Sequence, residues 1–159
     1  RGLKGMGLAY AVSARGACHL SAVFYPTELS SHFAHPTFDR RSTGLEKARF
    51  MIDWESGFAN MDSMVLCRFS RTIYNWTALA KVYSQVTGVK VSKSLLKEAR
   101  EPIVTLARMF NIMEGLSIKD DMLPQRFFSE PVPSGPSQGQ IVDRNAFEKM
   151  PEKYYETRG

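Results

Sequence analysis

Asp62-Ser63-Met64-Val65-Leu66-Cys67 sets a carboxylate, an apolar pair and a thiol side by side, between two stretches of helical periodicity. Taken alone, the carboxylate reads as a helix N-cap that accepts a backbone N–H of the following turn. The thiol reads as a small, buried apolar group. Upstream, Thr43 opens a helix with Glu46 at the reciprocal capping-box position. Leu45, Ala48, Ile52, Glu55 and Ala59 then recur at helical spacing, and Phe50, Trp54 and Phe58 form a second apolar line at intervals of four. A helix with two apolar lines is well buried. Downstream, Ile73 to Tyr83 reads as another helix that ends near Gly88. Ser92 or Ser94 opens a longer one, with Leu95, Ala99, Leu106 and Phe110 on or near one face. Pro102 falls inside it and predicts a bend or two abutting helices.

Outward from these helices the pattern loosens. In residues 5–17, Leu8 and Val12 stand four apart and Gly16 is a stop, which predicts a short helix. Its side chains are small (Gly5, Gly7, Ala9, Ala11, Ser13, Ala14), so either a neighbouring helix or a cofactor can come close to its backbone. Arg15, Cys18 and His19 follow at the turn. Arginine offers a planar fork of donors to phosphate or a polar heterocycle, and equally suits a helix C-terminus as a plain cation. Residues 20–43 are loop-like, broken by Pro26, Ser30-Ser31 and Pro36. His32 and His35 lie in that loop with no cysteine or acidic partner at ligand spacing, which argues against a zinc site. Beyond Gly115, Lys119 to Arg126 is a charged turn, and residues 130–139 are too rich in Pro and Gly for regular structure. Asp143 to Tyr155 closes the chain with a short helix. The fold class is all-α: an irregular helical domain with long loops and an extended Pro/Gly-rich C-terminal arm.

Composition sets the outer bounds. The 159 residues suffice for one domain with its own core, and 43% hydrophobic with 23% charged residues is an ordinary globular balance. No apolar run approaches the ~18–20 residues of a membrane span, and no signal peptide is visible, so no membrane is implied. Two cysteines far apart in sequence argue for no disulfide framework and for a reducing, cytoplasmic setting. The net charge of +5 is scattered, with no basic arm or nucleic-acid-binding signature, so nucleic acid is not a partner. Both ends read as cut from something longer.

Four motifs carry a resemblance that spans nearly the whole chain. They are Gly7-Leu8-Ala9-Tyr10-Ala11 leading to Arg15-Gly16-Ala17-Cys18-His19; Asp62 to Cys67; Phe110-Asn111 with Glu114-Gly115; and Lys119-Asp120-Asp121 with Leu123-Pro124 and Arg126. Together they resemble the C-terminal region of the tungsten-containing aldehyde ferredoxin oxidoreductase family. The resemblance implies tungsten, or molybdenum, held by two pterin dithiolenes beside one [4Fe–4S] cluster. It implies oxidation of an aldehyde to a carboxylate, with ferredoxin as the electron acceptor. By the same resemblance, Asp62 takes the pterin's pyrimidine edge, Leu66 contributes through its backbone, and Cys67 is a cluster ligand. Arg15 matches a pterin contact, and His19 a histidine implicated in proton transfer or carbonyl polarisation.

Ser21 departs from the family, which has a basic pterin contact at that position. The clustered three-cysteine motif and the N-terminal cofactor-binding domain are also missing from this chain. Residues 1–159 therefore read as a single C-terminal, third domain that works with the N-terminal and middle domains of a parent chain. On its own it is expected to bind no cofactor and to be inactive, and a homodimer is among the assemblies open to the parent. Two alternatives stand beside this reading. One is a domain of a related tungsten enzyme, such as the active-site subunit of a benzoyl-coenzyme A reductase, which Ser21 keeps open. The other is a cofactor-free helical interaction module, against which the joint retention of Arg15, His19, Asp62 and Cys67 weighs.

Overall fold

The computed structural model describes residues 1–29 and 38–159; His32 and His35 lie outside the described residues. The first helix, α1 (Lys4–Val12), opens on Leu3, which has no side chain able to cap it. A distant residue does this instead. The carboxylate of Glu28 accepts the N–H of Gly5 at 2.9 Å and of Met6 at 3.0 Å, at the positive end of the helix. Glu28 is delivered there by α3 (Tyr25–Leu29), which follows the short α2 (His19–Ala22). Both helices fall in the stretch expected to be loop. Pro26 does not prevent α3, because it sits in the first turn, where a missing N–H costs nothing.

The small residues of α1 serve packing. A Cβ on Gly5 would come within 2.4 Å of the Phe24 ring, and one on Gly7 within 3.3 Å of Leu123. Close approach to this helix is thus taken up by the protein's own core.

The long helix α4 (Glu46–Ser63) starts later than the capping-box reading requires. Leu45 is its N-cap with no side-chain hydrogen bond, so Glu46 is the first helical residue rather than the third, and the Thr43–Glu46 box does not form. The buried Lys47 anchors this end. Its ammonium donates to Glu28 at 2.7 Å, to the Asp39 carbonyl at 2.7 Å and to the Ser42 carbonyl at 2.8 Å. Ala48, Ile52 and Phe58 are buried along α4 as its spacing predicts, and Met51, outside both apolar lines, is buried with them, whereas Leu45 is exposed.

Asp62 lies in the last turn of α4 and caps no helix, contrary to its N-cap reading. The helix closes there in a Schellman turn. Leu66 N donates to the Met61 carbonyl at 2.9 Å and Val65 N to the Asp62 carbonyl at 3.0 Å. Val65 has φ +56°, a left-handed conformation in which a β-branched residue is strained. The same turn ends α6, with Gly115 in the equivalent place at φ +95°. Val65 is 92% exposed, so its side chain contributes no burial in return. Val65→Gly is expected to stabilise the fold by about 0.5–1 kcal/mol: relief of about 1–2 kcal/mol of left-handed strain exceeds glycine's extra unfolded-state entropy. A rise in the urea midpoint checks this, and an unchanged or lower midpoint would show that the turn is not strained.

The helix α5 (Trp76–Thr87) opens on Asn75, whose side chain accepts Ala78 N at 2.9 Å, and ends at Gly88 with φ +73°. The helix α6 (Lys93–Met113) opens on Ser92 and runs unbroken through Pro102. Leu79, Ala80 and Leu96 join α5 to α6 in a small cluster of their own, and Asn60 donates to the Leu96 carbonyl at 2.6 Å to fix α6 on α4. The face expected from Leu95, Leu106 and Phe110 is exposed, together with Met109 and Met113.

After a 3₁₀ turn at Ile118–Asp120 and the short α7 (Arg126–Ser129), residues 130–139 form turns and bends only, as expected. The last helix, α8 (Arg144–Arg158), opens on Asp143, accepting from Ala146 N at 2.7 Å, and runs longer than predicted. It buries Phe147, Met150 and Tyr154 against α1 and α4 in the main core. There is no strand among the described residues, and no helix among them is long and apolar enough to cross a membrane.

Candidate functional site

A cleft of about 650 Å³ opens beside the C-terminal half of α4. Glu55, Ala59, Asp62 and Ser63 of α4 line it, with Arg15 and Ser21 from the turn after α1 and from α2, and Arg68 from the turn after α4. The helix α6 contributes a largely apolar surface of Ile103, Val104, Ala107 and Phe110, ending in Asn111. Asn111 donates to the Ala14 carbonyl at 2.6 Å and so ties the Arg15 turn to α6. Gly16, at φ +79°, lets that turn reverse.

Arg68 organises the polar part of the cleft. Its guanidinium donates Nε–H to Asp62 Oδ1 at 2.9 Å and a second N–H to the other carboxylate oxygen, the fork geometry arginine favours. A third nitrogen reaches the Ser21 carbonyl at 3.2 Å, and the plane lies 4.9 Å from the Phe58 ring centroid. Arg15 directs Nη2 to the Cys18 sulfur at 3.1 Å. Burial pushes the Cys18 thiol up, but the Leu20 N–H, the Ser21 hydroxyl and Arg15 outweigh it and hold the thiol below its ordinary range. Glu55, buried behind the cleft, accepts the Tyr154 hydroxyl and Arg158 Nη2 at 2.6 Å. Desolvation holds its carboxyl above the usual range despite Arg158 and Tyr154.

The structure brings together Arg15, Ser21 and Asp62 of the residues singled out by sequence. It does not bring His19, Leu66 or Cys67 into the lining of this cleft. His19 is the exposed first residue of α2. Leu66 is inserted between two clusters, Val23–Phe58–Met61 and Leu79–Ala80–Leu96. Cys67 is exposed, not the buried thiol its apolar neighbours suggested; Leu66 occupies the interior and the turn carries Cys67 outward. Neither cysteine is in a disulfide. Among the described residues no three His, Cys, Asp or Glu side chains gather as a metal-ligand group.

Sequence reasoning missed Arg68 and Glu55. The signal for Arg68 was a cation directly after the motif. For Glu55 it was a carboxylate on an otherwise apolar helix line.

These residues suit a planar heterocycle with an N–H edge. A carboxylate offers about four acceptor positions, of which Arg68 fills two, and the Asp62 side chain is 49% exposed. Arg15 is exposed and spends one nitrogen on Cys18, leaving donors for phosphate or ring acceptors. The Ile103–Val104–Ala107 surface suits a ring face. Cys67, exposed and free, suits a thiolate ligand.

The family model described as "Aldehyde ferredoxin oxidoreductase, domains 2 & 3" matches residues 1–159. The chain is 30% identical, over 161 aligned positions, to the tungsten-containing aldehyde ferredoxin oxidoreductases of Pyrococcus horikoshii, Thermococcus kodakarensis and Pyrococcus furiosus. Each alignment covers 100% of this chain and 26% of the relative, so the chain spans about a quarter of the length of the curated relatives it matches.

Proposed function

The chain belongs to the aldehyde ferredoxin oxidoreductase family, and on that footing we propose that it forms the C-terminal part of a tungsten–pterin enzyme that oxidises aldehydes to carboxylic acids. The observation that supports this best is the convergence of Arg15 and Asp62, far apart in sequence, on one cleft with an apolar surface along α6.

In this reading Asp62 accepts the N–H groups of the pterin's pyrimidine edge, Arg15 donates to it, and Leu66 contributes its backbone. Arg68, seated on the Ser21 carbonyl, supplies the cation that Ser21 itself does not. His19 holds or releases the proton exchanged during aldehyde oxidation, a role suited to imidazole near neutral pH. Cys67 gives one thiolate to a [4Fe–4S] cluster, whose other ligands come from the N-terminal and middle domains. When bound, the tungsten–pterin group and the cluster would supply the redox chemistry, with ferredoxin as the electron acceptor. The setting is cytoplasmic and reducing, and the 159 residues alone are inactive.

The test is His19→Asn in the full-length protein. Asparagine keeps much of the volume and some hydrogen bonding but has no titratable proton. Tungsten and iron contents are expected to stay at the parent level while aldehyde turnover per bound tungsten falls at least about ten-fold, set below the usual range for a positioned acid or base. Unchanged turnover per tungsten would overturn the role of His19, and no aldehyde turnover in a metal-loaded parent would overturn the reaction.

A further inference from the structure

The opposite face of α4 borders a second cleft, of about 340 Å³, closed by α5, α6 and the loop after Cys67. Its position follows from helical spacing: Asp53, Trp54, Gly57, Phe58 and Met61 face it, whereas Glu55, Ala59 and Asp62 face the first cleft. This volume lies in the range of small-molecule sites.

The lining combines aromatic rings with uncompensated positive charge. Both tryptophans of the chain, Trp54 and Trp76, line it with Phe58 and Tyr74. Three cations border it, Arg71, Lys97 and Arg100, against a single carboxylate, Asp53. That carboxylate is taken by Arg100 at 2.7 Å. Arg71 and Lys97 have no carboxylate partner among the described residues. Arg71 spends Nη1 on the Arg68 carbonyl at 3.1 Å, and its Nε is buried with no hydrogen-bond partner, a state that calls for an acceptor. The Lys97 ammonium lies 5.8 Å from the centroid of the Trp76 ring, so cation and ring are already placed side by side.

A neutral apolar ligand would leave the Arg71 Nε–H and the Lys97 ammonium without an acceptor, and a small inorganic anion would not fill a cleft walled by aromatic side chains. We propose that this cleft binds a planar aromatic anion of the aryl carboxylate class, its ring against the indoles and its carboxylate between Arg71 and Lys97. The inference draws nothing from the cleft beside Asp62 and stands or falls separately from the proposed reaction.

The experiment titrates 2-naphthoate, 2-naphthalenemethanol and acetate separately into the full-length protein, read by calorimetry. Naphthoate is expected to bind saturably with Kd below about 1 mM, and the neutral alcohol and acetate at least about ten-fold more weakly, the scale of one charge-assisted hydrogen bond. Lys97→Gln, on an exposed helical position, should weaken naphthoate about three- to ten-fold with no change in the alcohol. Gly57→Met should abolish naphthoate binding by filling the cleft, while Gly57→Ala, whose Cβ lies 3.8 Å from Trp76, should retain it. Equal affinity for naphthoate and the alcohol, binding indifferent to Lys97→Gln, or no saturable binding would each overturn the proposal. Should Gly57→Met fail to fold, the Lys97→Gln comparison decides.

Discussion

Replacing Lys47 with methionine is expected to lower the stability of the fold by about 3–5 kcal/mol, the usual cost of stranding one partner of a buried ion pair. Lys47 and Glu28 both have 0% side-chain exposure. Methionine keeps most of the apolar stem, so packing is nearly conserved and the loss is electrostatic. Three hydrogen bonds go at once: to Glu28, to the Asp39 carbonyl and to the Ser42 carbonyl. The carboxylate left behind is still held by the Gly5 and Met6 N–H groups but has lost its ion-pair partner. A buried carboxylate without its ion-pair partner is costly in a low-dielectric interior. Urea unfolding measures the change. Lys153→Met, which breaks an exposed pair with Glu156, serves as the control and should shift stability by less than about 0.5–1 kcal/mol. A loss below about 1 kcal/mol for Lys47→Met would show that the α1 backbone alone satisfies Glu28.

Cys67→Ala in the full-length protein is expected to remove most of the iron while leaving the fold intact. The Schellman turn after α4 is held by backbone bonds and by Leu66 packed beneath it, so the exposed thiol contributes little to the turn itself. A change at an exposed position of this kind costs within about 0.5 kcal/mol. On the proposed role of Cys67, by contrast, a [4Fe–4S] cluster would lose one of its thiolate ligands. Iron per chain and the cluster's visible absorption should fall, with the urea midpoint close to that of the parent. Full iron in a folded Cys67→Ala protein would show that the cysteine is not a ligand.

Local signals made much of the helical framework legible. The later helices carry their own start and stop signals: Gly88 and Asp143 fall where the sequence places them and Ser92 is one of the two starts it offers, whereas α5 opens at Trp76 rather than at Ile73. The N-terminal third was harder because its caps are tertiary. Glu28 caps a helix 22 residues or more away in sequence, and Lys47 anchors α4 by bonds to α3 and to the loop that precedes α4. Neither has a local sequence signature. Val65 hid the turn after α4, since a left-handed position is ordinarily announced by glycine, as at Gly115.

The candidate site was legible mainly through family resemblance. Asp62 imitates an N-cap in sequence because it precedes an apolar run, and only its place in the last turn of α4 separates the two readings. Glu55 sits on an apolar line and gives no hint that Tyr154 and Arg158 arrive from the other end of the chain.

That last pairing bears on how the chain acquires its fold during synthesis. The residues of α1 and α4 share one core with Phe147, Met150 and Tyr154 of α8, and Tyr154 meets Glu55 across a separation of 99 residues. During synthesis α1 and α4 therefore keep an unfinished apolar face until α8 has left the ribosome. The α5–α6 hairpin, with its own small cluster of Leu79, Ala80 and Leu96, has no such wait. A chain stalled before Asp143 would thus present to a chaperone a formed hairpin joined to an open core.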